Sequence, residues 1–337
     1  MDKNTDPLAP FRIGFLLIDG FALMSYAAAI EPLRAANLLA GHPLFEAVNI
    51  PAKGALARSS AGAEVAADAR PADKPTLDML LVVAGGDPTS FADRRVISWL
   101  RELDVSGVRL GGVSGGPVIL AQAGLMKNRR MTVHWEHAPI LAEFSDDLLL
   151  ERSLFVRDRD RITCAGGVAP LDMLLALIAE RQGDGFARKV ADWFLHTEIR
   201  SSAGPQRAGL AERYATTSPP LLRMIDAMEQ HLGSPLSLNA LAAIAGCSAR
   251  QLNRLSQQHL GLSSMAFYRR LRLEKSCVLL TQSAMSITEV ALAAGFLSSA
   301  HFASAFQRQF EISPNRYRTR TKSAVNGSAG PALLSEF

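Results

Sequence analysis

Residues 238–255, LNALAAIAGCSARQLNRL, and residues 287–306, ITEVALAAGFLSSAHFASAF, spell one unit twice. In each copy a short amphipathic helix runs into a glycine-containing turn, and a serine beyond the glycine stands where it can cap the next helix. This is a helix-turn-helix pattern. Offset by fifty positions, Ser263 matches Ser313, Phe267 matches Tyr317 and Leu252 matches Phe302. An apolar helix predicted at about Met265 to Thr281 holds the copies at fixed separation. Two reading helices one DNA turn apart, about 34 Å, can enter adjacent major grooves on one face of a duplex. In the first copy Arg250, Asn253, Arg254 and Gln257 form a polar stripe behind the apolar Leu252 and Leu255. Ser298, Ser299, His301, Ser304 and Arg308 are the corresponding candidates in the second.

Charge follows the same division. Residues 216–322 carry a formal +7, whereas residues 1–215 carry −2, within a chain of 337 residues and net charge +4. A compact basic body carrying a duplicated helix-turn-helix unit points to double-stranded DNA more strongly than charge or either copy alone. The stretch 201–220, SSAGPQRAGLAERYATTSPP, lacks an apolar stripe and reads as the join between two bodies, with residues 201–218 as linker. At 48% hydrophobic and 20% charged residues, a mostly disordered chain is excluded. No window approaches the ~18 uninterrupted apolar residues of a membrane span, and the opening MDKNTDPLAP has no signal-peptide pattern. The cytoplasm is the expected location. Cys164, Cys247 and Cys277 are far apart and odd in number, which argues against a disulfide framework or a paired zinc or redox motif.

The amino-terminal body alternates apolar runs with helical patterns. Strands are predicted at Phe11 to Ile18, Phe45 to Ile50, Asp78 to Ala84 and Arg109 to Val113, with helices at Ser25 to Leu39, Asp93 to Leu103, Val118 to Ala123 and Pro170 to Ala179. Such alternation implies parallel crossovers, hence an α/β doubly wound parallel sheet followed by an all-α domain. Ligands in these sheets bind outside the carboxyl ends of the strands, which gathers Asp19-Gly20, Gly85-Gly86 and Ser114 around one crevice.

Two motifs carry candidate chemistry. Gly112-Val113-Ser114-Gly115-Gly116 matches G-x-S-x-G, either a nucleophile elbow or a tight ligand-facing turn whose glycines serve the backbone. A hydrolase also needs a histidine and an acid, for which His134, His137, His196, Asp146, Asp158 and Asp172 are available, Asp146 lying outside the residues the structure describes. The second motif, Thr132-Val133-His134-Trp135-Glu136-His137, lacks a third metal ligand at recognisable spacing, and Trp135 is either ligand lining beside Glu136 or a core residue. Cys164 reads as a small buried residue rather than a reactive thiol.

LAAIAGCSARQLNRL, RRLRLEKSCVLL, ITEVALAAGF and AHFASAFQRQFEISPNRYR together resemble the tandem helix-turn-helix domain of AraC-type transcription regulators. GGVSGGPVILAQAGLMKNRRMTVHWEHAPIL and ITCAGGVAPLDMLLALIAERQG resemble the PfpI-like, glutamine-amidotransferase-like domain of their GlxA subgroup. The resemblance implies an effector-sensing front domain in which Ser114 stands where catalytic relatives hold a cysteine. Ser25 stands near the place of their acid, so a retired active site is implied. Members of the subgroup regulate glycine betaine, carnitine and arginine catabolism, which implies a quaternary-amine or amino-acid-like zwitterion. Its cation would lie on Trp135 and Glu136, and its carboxylate at the backbone amides of Ser114 to Gly116. Ser256, Ser264, Leu297 and Ser304 depart from the AraC pattern, so the first reading helix is expected to supply more sequence-specific affinity than the second.

The sequence therefore predicts a DNA-binding transcription regulator, not an enzyme, with no cofactor or metal. Its effector-sensing domain spans 8–200 and its DNA-binding domain 219–322, followed by a disordered tail at 323–337. Effector-binding candidates are Ser25, Gly85, Gly86, Ser114, Gly115, His134, Trp135 and Glu136. The partners expected are operator DNA, a small effector, a second copy as homodimer and RNA polymerase. The alternatives are an active serine amidase or hydrolase using Ser114, and an architectural DNA-binding protein whose front domain only dimerises.

Overall fold

A computed structural model describes residues 9–141, 147–283 and 285–326. The chain divides at 206/207 into two compact units. In the first, strands β1 (Phe11–Leu17), β2 (Phe45–Pro51), β3 (Leu56–Arg58), β4 (Glu64–Ala66), β5 (Met79–Ala84), β6 (Arg109–Ser114), β7 (Arg130–Met131), β8 (Leu149–Leu150), β9 (Phe155–Asp158) and β10 (Arg161–Cys164) alternate with helices. These are α1 (Leu23–Ala40), α2 (Arg94–Val105), α3 (Gly116–Gln122), α4 (Ala138–Leu141), α5 (Ala169–Gln182) and α6 (Asp184–Trp193).

The main sheet has the order β2-β1-β5-β6-β10-β9, parallel throughout except for the last pair. The apolar runs are continuous because both faces are covered. Ile13, Phe15, Leu17, Leu81 and Val83 point to one core with α1 and α5, while Leu16, Leu80 and Val82 point to another with α2 and α3. Strand order reverses between β1 and β5, so their carboxyl ends open the crevice expected of a doubly wound sheet. The antiparallel edge strand β9 departs from the wholly parallel expectation. It is turned back by Arg159 in the left-handed region at φ 56°, with Asp158 opposite Arg161.

The second unit contains α7 (Leu210–Arg213), α8 (Pro219–Gln230), α9 (Leu238–Ala245), α10 (Ala249–Leu260), α11 (Ser264–Gln282), α12 (Ile287–Ala293), α13 (Ser299–Phe310) and α14 (Pro314–Asn326). Ser237, Ser248, Ser286 and Ser298 each cap a helix, accepting from Ala240 N, Gln251 N, Glu289 N and His301 N respectively. Leu252 and Phe302 are both fully buried. The first core is mainly aliphatic around Leu221, Met224, Leu241 and Leu252. The second stacks Phe296, Phe302, Phe306 and Tyr317.

The stretch read as a linker is not a free tether. Ser202 O accepts from Leu154 N, and Gln206 Nε2 donates to Thr132 Oγ1 and to the carbonyls of Val133 and Ser153 in the first unit. Beyond it, Arg213 and Tyr214 both bond Glu229 of α8, and the Tyr214 ring meets Phe267 edge-on at 5.5 Å. Polar residues without an apolar stripe here satisfy buried hydrogen-bonding groups on either side, which hydrophobic periodicity does not register. Helix α14 continues to Asn326, into the stretch assigned to the tail. Residues 1–8 and 327–337 lie outside the described residues.

A methyl group on Gly116 would overlap the Val82 carbonyl oxygen on the adjoining strand. Gly116→Ala should therefore cost the first unit about 1–3 kcal/mol, while Gly185→Ala, with open space at its site, changes it by no more than about 1 kcal/mol in the stabilising direction. Urea unfolding followed by tryptophan fluorescence checks this, because Trp99, Trp135 and Trp193 all lie in the first unit.

Candidate functional site

At the end of β6, Ser114 adopts φ 60°, a left-handed conformation that costs a non-glycine residue about 1 kcal/mol or more. Gly166 approaches so closely that a Cβ there would lie 2.6 Å from the Ser114 Cβ. The Gly115 amide donates to Ala84 O at 3.1 Å, joining the ends of β6 and β5. It is therefore not the bare donor expected for a ligand carboxylate, because the β5–β6 ladder extends one residue past the strand and uses it. Gly85 is required by the neighbouring loop, since a Cβ would come within 2.8 Å of Gly20 O; Gly86 sits at φ 60° with open space beside it. The hydroxyl of buried Ser25 accepts from Gly167 N at 2.8 Å, tying α1 to the loop before α5.

The His134 segment reaches the elbow through its backbone: His134 N donates to Ser114 O at 3.3 Å. Its ring lies 5.3 Å from the Trp135 ring, and Nδ1 is 3.5 Å from a Glu136 carboxylate oxygen. Trp135 is 39% exposed, so it is surface lining rather than core. Burial lowers the His134 pKa from its ordinary 6.5, while the Glu136 carboxylate works in the opposite direction.

No histidine serves Ser114. Among the described residues no hydrogen bond reaches its hydroxyl, and His196 instead places Nε2 2.8 Å from Oδ1 of Asp172. Asp172 is fully buried on α5 and also accepts from the Arg200 backbone and guanidinium. This cluster pins the segment after α6 to α5. Its parts were visible in the sequence as a histidine and an acid; their use as an anchor was not. Burial pushes the Cys164 thiol up to about 12, which leaves it protonated and inert. Among the described residues no group of three or more His, Cys, Asp or Glu side chains is gathered to hold a metal.

On the reading helices the candidates divide. Arg250 and Arg254 are exposed on α10. Asn253 is half-buried and its Oδ1 accepts from Ser264 N at 3.0 Å, because α11 folds back against α10; its amide NH2 remains for other partners. Gln257 is exposed and donates to Gly261 O. On α13, His301, Ser304 and Arg308 are exposed, Ser299 is half-buried, and the Ser298 hydroxyl is occupied as the helix cap. Arg308 Nε turns back to Ser304 O.

Residues 11–180 match the DJ-1/PfpI family, and residues 241–320 match a helix-turn-helix domain. The chain is 47% identical over 324 residues to the HTH-type transcriptional regulator GlxA of Rhizobium meliloti, covering 96% of this chain and all of that one. The chain belongs to the GlxA type of AraC-family transcription regulators. It is also 38% identical over 304 residues to the regulator CdhR of Pseudomonas aeruginosa, covering 90% of each chain. An AraC family transcriptional regulator from Pseudomonas putida superposes on 55% of this chain and all of its own, with TM-score 0.51 and 28% identity. A ThiJ/PfpI family protein from Pseudomonas syringae shares the fold at TM-score 0.52 and 22% identity, over 72% of this chain and 94% of its own.

As a GlxA-type regulator the chain joins a DJ-1/PfpI unit to a DNA-binding unit. In the first of these the His134 ring provides a direct physical check. Because folding disfavours the protonated imidazole, stability is lost as pH falls through the ordinary 6.5 toward the lower folded value. Proton NMR of the histidine ring should place the His134 midpoint below 6.5, and Glu136→Gln should move it lower still, since the carboxylate supports the protonated form.

Proposed function

We propose that the front unit senses a small zwitterion carrying a quaternary-ammonium or guanidinium group, without turning it over, and that the rear unit binds operator DNA as part of a homodimer in the cytoplasm. The observation that carries the sensing part is an elbow at which, among the described residues, no base bonds Ser114, joined through His134 N to the segment with exposed Trp135 and half-buried Glu136. A cation packs against the Trp135 ring and pairs with the Glu136 carboxylate. Ser114 contributes one hydroxyl as donor or acceptor, in a position set by its own backbone. A serine hydrolase would need a base within hydrogen-bond reach of that hydroxyl, and the Asp172–His196 pair is committed with Arg200 to holding the segment after α6.

In the rear unit, Arg250 and Arg254 supply guanidinium forks for guanine or phosphate, and His301 and Ser304 lie on the second reading helix. The basic surplus of this body makes operator binding weaken as salt rises. Pairing of two copies is supported by α1, whose exposed face carries Met24, Leu38 and Leu39 beside the oppositely charged Glu31 and Arg34. Across a twofold axis such a face meets itself.

The test titrates the full chain with glycine betaine, carnitine and arginine by isothermal calorimetry, then measures affinity for a selected operator with the bound compound present and absent. One of these cations should bind and shift operator affinity, and Trp135→Ala should weaken that binding by about 1–2 kcal/mol without altering ligand-free operator affinity. Tight binding of a neutral or purely anionic metabolite, with none of the three cations bound, contradicts the effector class.

A further inference from the structure

The two helix-turn-helix copies differ by one residue at the turn. The first passes from α9 to α10 through Gly246, Cys247 and the capping Ser248; the second passes from α12 to α13 through Ala294, Gly295, Phe296, Leu297 and the capping Ser298. Both glycines are left-handed, at φ 73° and 74°, and both serines cap in the same way. Aligning glycine with glycine and cap with cap leaves Leu297 as the added residue. It is 96% exposed, more than any other large apolar side chain among the described residues.

The turn that displays it is rigid. Arg272 of α11 donates to Ala294 O at 2.8 Å and also to Gly295 O, and Lys275 donates to Ala293 O at 3.0 Å. The Arg272 guanidinium lies 4.2 Å over the Phe296 ring, which in turn packs on Phe302 at 5.3 Å and His301 at 5.7 Å. Phe296 fills the inward place at the turn, so the next side chain is directed out at the amino end of the reading helix. That end of a reading helix makes its base contacts. Polar means are few there: the Ser298 hydroxyl accepts from His301 N, Arg308 donates to Ser304 O, Ala300 carries only a methyl, and the exposed His301 ring is the main polar group left in the first turn.

We propose that Leu297 is a specificity-determining residue that packs against the C5 methyl of a thymine in the operator half-site read by α13. The thymine methyl is the apolar group on the major-groove edges of the four bases, and an exposed leucine on a fixed turn meets it with little ordering cost. The second unit then reads by apolar contact, where the first has Arg250 and Arg254. This inference rests on α13 lying in the major groove, and the experiment separates the two.

Duplexes are selected from a random library by the full chain, and each thymine of the selected site is replaced in turn by deoxyuridine, which lacks only that methyl. Wild type should lose about fourfold in affinity at one or two thymines of the second half-site, the size expected for one buried methyl group. Leu297→Ala should lose a similar factor on the thymine duplex and no longer distinguish thymine from uracil there. Arg254→Ala should bind more weakly yet keep the wild-type thymine-to-uracil ratio. The proposal is overturned if Leu297→Ala retains the ratio, if no second-half position responds to uracil, or if the selected half-site contains no thymine. It is also overturned if Leu297→Ala keeps full operator affinity and loses only transcription with purified polymerase, which assigns the leucine to a protein partner. A wild type without any sequence preference removes α13 from the groove, and the proposal with it.

Discussion

The first unit depends on a steric constraint at the end of β6. Gly112 has no room for a side chain against Pro117, Gly116 none against the Val82 carbonyl, and Gly166 none against Ser114. The chain must leave the strand sharply, and Ser114 takes the left-handed conformation that the close approach imposes. Three links then converge on the turn: Gly115 N to Ala84 O, His134 N to Ser114 O, and Ser25 Oγ from Gly167 N. The crevice is thus assembled by backbone geometry. An enzyme would use this arrangement to present a nucleophile. Here, among the described residues, no hydrogen bond reaches the Ser114 hydroxyl, and His196 is paired with Asp172 instead.

The second unit is organised by caps and clamps. Serine hydroxyls begin four of its helices, and arginines hold the carbonyls at both turns: Arg223 bonds Ala245 O after α9, while Arg272 bonds Ala294 O after α12. Each arginine satisfies a helix end that would otherwise have to find water, and each fixes the angle at which the next helix departs. Helices held in this way present their exposed side chains in a fixed geometry, which lowers the ordering cost of any contact they make. The conserved logic of the two copies is in these hidden contacts; their difference is in what the turns display.

Much of this architecture was legible because it rests on periodicity and punctuation. The buried runs of β1 and β5, the glycines at crevice turns and the serine caps all leave a local trace. Hydrogen bonds between distant segments leave none. Asn253 looked like part of a polar reading stripe, but its oxygen serves Ser264 eleven residues later. Asp172 and His196 read in the sequence as available catalytic parts, whereas the fold brings them together with Arg200 around one carboxylate. The β9–β10 hairpin was hidden because its turn, in Arg-Asp-Arg-Asp-Arg, contains neither glycine nor asparagine and relies on Arg159 in a left-handed conformation. The polar join around Gln206 concealed its anchoring for the same reason: the groups it satisfies lie far away in sequence.

The Ser114 turn is strained by its surroundings and holds the crevice preformed. Comparing Ser114→Gly with Ser114→Ala in urea unfolding of the full chain, followed by tryptophan fluorescence, tests it most directly. Glycine accepts φ 60° freely, whereas alanine retains the Cβ and its strain. The glycine variant should be the more stable of the two by about 1 kcal/mol. An alanine variant as stable as, or more stable than, the glycine variant contradicts it.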